Sequence, residues 1–86
     1  MYYMYILVCA DDTLYIGSTN DIEKRLHQHN NLKSGAHYTK IRRPVNLAYS
    51  ESFSSHSEAL KREIEIKRWT RKDKLELIEG KVSILK

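Results

Sequence analysis

Residues 1–19 of this chain, MYYMYILVCADDTLYIGST, decide the fold. Residues 1–9 are aromatic, β-branched or otherwise apolar at every position, which predicts a strand that is buried on both faces and therefore central in its sheet. Residues 10–13 have turn composition, so residues 14–18 are expected to return as a second strand and complete a hairpin. Gly17, inside that strand, indicates a bulge or a close approach of another group to the backbone.

Capping residues mark the predicted helices. Asn20 is a candidate N-cap for a helix that ends near residue 30. Residues 55–58 form a capping box, which opens a second helix that is expected to end near residue 68. Residues 70–73 carry another capping signature, for a third helix that ends before Gly80.

The remaining segments complete the predicted architecture. Residues 31–44 are polar and basic and predict a long loop with at most a short turn, and residues 45–53 predict a third strand. The predicted fold class is therefore α+β: a small domain with a central three-stranded antiparallel sheet flanked by about three helices. The domain is expected to span residues 1–80, and residues 81–86 are expected to form a tail that docks as a strand or frays.

The composition limits the classes of protein to which the chain can belong. It has 86 residues, of which 41% are hydrophobic, so one small domain with a core is expected. Cys9 is the only cysteine, which excludes an intrachain disulfide and favours a reducing, cytoplasmic location. The apolar residues 2–9 are far fewer than the roughly 20 needed to span a bilayer. A net charge of +4 suits a polyanion such as DNA or RNA, although many small domains are as basic without such a partner.

The helix predicted after residue 55 places one carboxylate, that of Glu63, among apolar side chains. At about 100° per residue, and with Leu60 as the reference direction, Ile64 projects near +40° and Glu63 near −60°. A carboxylate inside an apolar arc needs a cation, a metal ion or strong donors as a partner. The alternative to a functional site is a structural salt bridge to Lys67, which projects near −20°.

The first predicted helix carries a second candidate pair. Arg25 and His29 lie one turn apart beside the apolar stripe of Ile22 and Leu26, whereas His27 projects into solvent. The sequence therefore favours His29 over His27 as a site residue. The alternative is an ordinary amphipathic helix with a half-buried histidine.

Two tyrosines of the hairpin are further candidates. The side chains of Tyr5 and Tyr15 share a face of the sheet only if the connection has an odd offset, as a three-residue or bulged turn would give. The alternative is that both are ordinary core tyrosines.

Two other kinds of site are disfavoured by the sequence. His27, His29 and His37 do not suggest zinc, because positions i and i+2 of a helix face apart and no cysteine pair supports them. A phosphate-binding glycine loop is absent, because the three glycines are not grouped.

The paired strand motifs resemble those of the GIY-YIG nuclease superfamily. Residues 3–5 read Tyr-Met-Tyr, and after nine further residues, residues 15–17 read Tyr-Ile-Gly. Arg25, ten residues after the second motif tyrosine, takes the place of the family's phosphate-facing arginine, and His29 takes that of its histidine or tyrosine. Glu63 lies in a stretch that looks like the family's segment with the single metal-binding glutamate.

The similarity covers residues 2–78 and is closest to the small stand-alone bacterial branch of that superfamily. Tyr3 replaces the glycine of the first motif. The resemblance implies an endonuclease that hydrolyses nucleic-acid phosphodiesters with a single Mg²⁺ or Mn²⁺ ion held by Glu63. It implies that Arg25 neutralises charge on the phosphate, that Tyr5 or His29 takes the proton of the attacking water, and that Tyr15 orients water or phosphate.

The basic segment before the third strand is a candidate nucleic-acid interface. It could follow a phosphate backbone and stack on an unpaired base, although a solvated loop is an equal alternative. Tyr38 and Thr39 fall where related sequences place residues next to the site. The candidate nucleic-acid-binding residues are Lys33, His37, Tyr38, Lys40, Arg42 and Arg43.

The expected partner is DNA rather than RNA, recognised by structure or backbone, because no base-reading element is evident. The chain is expected to be a monomer that does not bind membranes. Three other interpretations stay open: a nucleic-acid-binding module without catalysis, a subunit that needs a protein partner for cleavage, and a purely structural basic domain.

Overall fold

The computed structural model describes residues 1–31 and 37–80, in which three antiparallel strands form the centre of the molecule. The strands are β1 (Tyr2–Val8), β2 (Leu14–Thr19) and β3 (Asn46–Phe53), and the helices are α1 (Ile22–Asn31), α2 (His37–Lys40), α3 (His56–Lys67) and α4 (Arg71–Ile78). The strand order is β2-β1-β3, so β1 is the central strand. The predicted α+β class is confirmed, and the predicted loop contains the short helical turn α2.

Residues 9–13 join β1 to β2, and the hydrogen bond between Cys9 and Thr13 closes a turn with three central residues, 10–12. The backbone N–H of Cys9 donates to the carbonyl of Thr13, and the N–H of Asp12 donates to the carbonyl of Cys9, both at 2.9 Å. Asp12 has a φ of +67°, the left-handed conformation that such a loop requires and that aspartate tolerates. The odd loop length that the sequence analysis required for a shared tyrosine face is therefore present.

The hairpin register gives the sheet a tyrosine face and an aliphatic face. Tyr5 pairs with Gly17 and Leu7 pairs with Tyr15, so both tyrosines lie on one face, which we name the tyrosine face. This face packs against α1 through Leu26 and against α2 through Tyr38.

The opposite side of the sheet, the aliphatic face, is made by Met4, Ile6 and Ile16. It packs against Ile66 of α3 and Leu77 of α4. Four of these side chains are at most 4% exposed and Leu77 is 7% exposed. The central strand is thus covered on both faces, as its continuous apolar sequence predicted.

Gly17 accommodates the side chain of Tyr5. A Cβ atom at position 17 would lie 2.5 Å from Oη and 2.7 Å from Cζ of Tyr5, and 3.2 Å from Cε2 of Tyr15. The first two distances are shorter than van der Waals contact, so a residue with a side chain would displace the tyrosine ring. The predicted close approach to the backbone is confirmed.

The caps of α3 and α4 are those predicted, and the cap of α1 is not. The N–H of Glu58 donates to Ser55 Oγ at 3.2 Å, and the N–H of Asp73 donates to Thr70 Oγ1 at 3.1 Å. For α1 the N–H of Lys24 donates to Asp21 Oδ1 at 3.0 Å, so the predicted N-cap Asn20 is wrong by one residue. The first turn of α1 begins one residue later than expected, which puts Asp21 in the capping position.

The predicted inward direction of α3 is also corrected. Leu60 and Ile64 are 40% and 48% exposed, whereas Ala59 and Ile66 are completely buried. The side of the helix that faces the sheet therefore lies between Ala59 and Ile66, because small Ala59 lets the helix pack closely there. Glu63 projects about 50° from that direction and still falls on the inward side.

One side chain connects the end of α1 to the start of β3. The amide of Asn30 donates to the carbonyl of Val45 at 3.0 Å and accepts from its N–H at 2.8 Å. The sequence predicts Val45 as the first residue of the third strand, but Val45 lies just before β3, since both of its main-chain groups are paired with Asn30. Within the described part of the chain, none of the helices has both the length and the apolar character needed to cross a bilayer.

Candidate active site

His29 is the centre of a polar cluster beneath the tyrosine face. It is fully buried, and both nitrogens of its ring have partners. Its Nε2 lies 2.9 Å from Oη of Tyr5, and its Nδ1 lies 2.7 Å from Oγ1 of Thr39. The ring of Tyr15 packs edge-on against the imidazole with 5.0 Å between ring centroids. Four elements, β1, β2, α1 and α2, thus each contribute one side chain.

Burial and charge fix the protonation of the two hydrogen-bonded groups. Burial, and then the positive charges of Arg25 and Arg43, lower the pKa of His29 to about 4. Burial raises the pKa of Tyr5 to about 12, although the positive charge of Arg25 acts in the opposite direction. At neutral pH His29 is therefore an uncharged imidazole and Tyr5 a protonated phenol.

Arg25 joins this cluster from α1. Its positive charge acts on the phenol of Tyr5 and opposes the rise of that group's pKa, and its Nη1 donates to Oε1 of Gln28 at 2.8 Å. The side chain is half-buried, so the cation lies at the boundary between the buried histidine and solvent. His27 is exposed, and the predicted preference for His29 over His27 as an inward residue is confirmed.

Glu63, the candidate metal ligand, lies on α3, the helix that packs on the aliphatic face. Its side chain is only 13% exposed, and Oε2 lies 2.7 Å from Nζ of Lys67, which is 52% exposed. The salt bridge weighed in the sequence analysis is therefore present. The charge of Glu63 nevertheless acts on Tyr5, where it is the smallest of the causes that raise the pKa of the phenol.

Tyr38 of α2 extends the aromatic cluster towards the loop between β1 and β2. The centroid of the Tyr38 ring lies 6.0 Å from that of Tyr15. The guanidinium of Arg42 lies 3.9 Å from the same Tyr38 centroid. Arg42 also donates to the carbonyl of Tyr38 at 3.1 Å and forms a 3.1 Å ion pair with Asp11. A nucleobase stacking on this side of Tyr38 would have to displace Arg42.

The other residues of the predicted nucleic-acid interface differ in their surroundings. Arg43 is half-buried and donates to the main-chain carbonyls of Gln28 and His29, which holds the last turn of α1 in place. His37 is exposed and Lys40 is half-buried. Lys33 lies outside the described residues.

The candidate metal ligand is the one carboxylate of Glu63 rather than a cage of several side chains. Within residues 1–31 and 37–80, no three His, Cys, Asp or Glu side chains are grouped so that they could hold a metal ion. Mg²⁺ and Mn²⁺ accept one or two carboxylates and complete their shells with water and phosphate oxygens. Glu63 fits this mode of binding, because its carboxylate already pairs with a positive charge, that of the half-exposed Lys67.

Residues 1–76 match a family model described as the GIY-YIG catalytic domain. The chain belongs to this family. GIY-YIG domains are nuclease domains that bind nucleic acid and generally use a divalent metal. The two strand motifs of this family, residues 3–5 and 15–17, thus supply Tyr5 and Tyr15 to the tyrosine face of the sheet.

Related GIY-YIG proteins match nearly the whole chain. A UPF0213 protein of Staphylococcus saprophyticus is 58% identical over 77 residues, which cover 90% of this chain and 93% of that protein. The solution NMR structure of the UPF0213 protein of Bacillus halodurans is 36% identical, with a TM-score of 0.59 over 99% of this chain and 90% of that one. A protein of E. faecalis, also solved by NMR, is 41% identical, with a TM-score of 0.62 over 92% and 83% of the two chains.

Proposed function

We propose that this protein is a divalent-metal-dependent endonuclease that hydrolyses phosphodiester bonds of DNA and recognises the structure or backbone of its substrate. The observation that supports this proposal is the mutual contact of side chains from separate elements. Tyr5 of β1 contacts His29 of α1 and Tyr15 of β2. The charges of Arg25 and Glu63 both act on the pKa of its phenol. A purely structural domain has no need of such a cluster.

The first requirement of hydrolysis is an acceptor for the proton of the attacking water. We assign this role to Tyr5 and His29 acting together. As the oxygen of Tyr5 takes the proton from water, its own proton passes to Nε2 of His29, 2.9 Å away. The products of this transfer are hydroxide, which attacks phosphorus, and an imidazolium.

The second requirement is neutralisation of charge on the phosphoryl oxygens. Arg25 is suited to it, because its guanidinium presents several donors in a fixed plane. The positive charge of Arg25 also lowers the pKa of His29. A phosphate bound at Arg25 would offset that charge, so the bound substrate would make His29 a better proton acceptor.

Glu63 would hold the divalent ion, with Lys67 turning into solvent. When bound, the ion supplies charge stabilisation to the phosphate and to the leaving oxygen. Tyr15, which packs against both Tyr5 and His29, would orient the water or the phosphate. His37 and Lys40 would contact the DNA backbone at the edge of this site, together with Lys33.

The proposal is tested by incubating the full chain with branched, flapped and single-stranded DNA in Mg²⁺ or Mn²⁺. We expect cleavage, and we expect Glu63→Gln to reduce its rate at least about 100-fold, because the ion contributes several kcal/mol. Glu65→Gln is the matched control, since Glu65 lies on the same helix and its side chain is 55% exposed. It should cleave like the wild type.

Two outcomes would contradict the proposal. Binding of DNA without cleavage, unchanged by Glu63→Gln, would favour a nucleic-acid-binding module. Cleavage that appears only after a co-purifying protein is added would favour a partner-dependent subunit.

A further inference from the structure

Thr39 is a buried polar side chain for which the proposed reaction has so far given no role. It lies in the single turn of α2 and is fully buried. Its Oγ1 is 2.7 Å from Nδ1 of His29, on the side of the ring opposite Tyr5. A hydroxyl at this position can either donate to the ring nitrogen or accept from it.

Two arrangements of hydrogens satisfy a neutral His29. In the first, Nδ1–H donates to Thr39 and the lone pair of Nε2 accepts from the hydroxyl of Tyr5. In the second, Nε2–H donates to the oxygen of Tyr5 and the hydroxyl of Thr39 donates to Nδ1. Only the first leaves Nε2 able to accept a proton from Tyr5.

The hydroxyl of Tyr5 distinguishes between the two arrangements. Among the described residues, its hydrogen-bond partner is Nε2 of His29 alone. In the first arrangement the hydroxyl hydrogen of Tyr5 is donated to Nε2. The hydroxyl of Thr39 then accepts from Nδ1–H, and a threonine in a helical turn can donate its own hydrogen to a main-chain carbonyl. In the second arrangement the oxygen of Tyr5 accepts from Nε2–H, and its own hydrogen has no acceptor among the described residues. Because unpaired buried donors are unfavourable, the first arrangement is preferred.

We propose that Thr39 is a positioning residue that holds His29 in its Nδ1–H tautomer and thereby presents the Nε2 lone pair to Tyr5. Its catalytic consequence rests on the proposed nuclease function, whereas the tautomer itself does not. The edge-on ring of Tyr15 offers no polar atom to the imidazole at its 5.0 Å distance, and Arg43 binds the main-chain carbonyl of His29 rather than its ring. Thr39 is therefore the group that sets the tautomer.

The tautomer is read directly from nitrogen chemical shifts. The ¹⁵N-labelled full chain at pH 7, in long-range ¹H–¹⁵N correlation spectra, distinguishes a protonated ring nitrogen from one with a lone pair. The signals of His29 are assigned as those missing from His29→Gln. We expect Nδ1 to be protonated and Nε2 to carry the lone pair in the wild type and in Thr39→Ser. Thr39→Val, which replaces the hydroxyl by a methyl group of similar size, should give a mixture or the opposite tautomer.

A second measurement tests the catalytic consequence. Thr39→Val should lower kcat about 10- to 100-fold, as losing a partner that orients a catalytic histidine commonly does, and leave KM nearly unchanged. Thr39→Ser, which keeps the hydroxyl, should restore most of the rate. A merely structural role for Thr39 predicts no such rescue at equal folded fraction.

The two measurements separate the proposals. A wild-type spectrum with protonated Nε2, or a Thr39→Val spectrum identical to the wild type, would overturn the role of Thr39. The wild-type spectrum decides even if Thr39→Val does not fold. Absence of cleavage by the wild type would contradict the nuclease proposal alone, since the spectra do not depend on it. The expected tautomer with an unchanged kcat in Thr39→Val would overturn the catalytic role.

Discussion

The two faces of the sheet are both buried, but they use different chemistry. On the aliphatic face Met4 and Ile6 pack against Ile66, and none of these contacts depends on direction. On the tyrosine face the buried groups include His29 and Thr39, whose polar atoms must be paired at defined angles. Apolar packing would cover a strand equally well, so the polar side reflects a requirement other than stability.

Because the two faces differ in this way, substitutions on them should change different properties of the protein. A substitution on the aliphatic face alters the volume that fills the core, so its main effect is on the free energy of unfolding. A substitution on the tyrosine face alters the protonation and orientation of side chains, so its effects depend on pH and appear in the chemistry. Variants that affect both properties equally would show that the two faces are not distinct.

The largest effect on stability is expected from Ile6→Ala. Ile6 is fully buried on the aliphatic face of the central strand. Removing its side chain loses apolar burial and leaves a cavity, so the free energy of unfolding should fall by about 2–5 kcal/mol. Urea denaturation measures the change, and Leu60→Ala, at a position 40% exposed, should change it by less than about 1 kcal/mol. Equal losses would contradict the burial assigned to the two residues.

The second effect concerns His29 on the tyrosine face. Acidification should lower the free energy of unfolding by about 2–3 kcal/mol through this residue. The pKa of His29 is about 4 in the folded protein and 6.5 when unperturbed. Below pH 6.5 the unfolded chain thus binds a proton that the folded chain does not. The stabilisation is complete above pH 6.5, is lost as the pH falls towards 4, and amounts to about 1.4 kcal/mol per pKa unit.

Urea denaturation between pH 7.5 and 4.5 measures this effect. His29→Gln is the control, because it lacks the titrating group and should lose correspondingly less stability over the same range. If the wild type and this variant had the same pH dependence, the burial of an uncharged His29 would be refuted.

The smallest of the three effects is expected from Gly17→Ala, at about 1–3 kcal/mol. The added methyl group would overlap the ring of Tyr5, whose Oη lies 2.5 Å from the new Cβ position. Cleavage should fall as well, because the phenol moves away from His29. In a Tyr5→Ala background the same substitution should lose most of its effect on stability, since the overlapping ring is gone. Additive effects in this double-mutant cycle would contradict the close approach.

The sequence predicted those features that depend on local chemistry. The apolar run of β1, the caps Ser55 and Thr70, and the shared face of two tyrosines under an odd loop each follow from neighbouring residues. The inward position of Glu63 was also predicted, but from the wrong reference direction. The pattern predicts Leu60 and Ile64 as core residues, because hydrophobicity alone does not tell which of two apolar stripes faces the sheet.

The contacts that complete the candidate site could not be predicted in the same way. Thr39 meets His29 across ten positions of chain, and Arg43 reaches back to the end of α1, so both contacts depend on the path of the backbone between them. Composition marks residues 37–43 as basic and partly aromatic, and only the family resemblance places Tyr38 and Thr39 next to the site. The sequence contained no signal that Arg42 would stack on Tyr38 and pair with Asp11 rather than extend into solvent.

The paired hydrogen bonds of Asn30 have a consequence for association between molecules. β3 lies at an edge of the sheet, and open backbone groups on an edge strand can recruit a strand from another chain and start aggregation. Where the chain enters β3, the amide of Asn30 occupies both the N–H and the carbonyl of Val45, as the backbone of a neighbouring strand would. One side chain thus occupies both main-chain groups of Val45, so a strand from a second molecule would find no open pairing group at this residue. The helix that supplies this side chain is the one that carries His29.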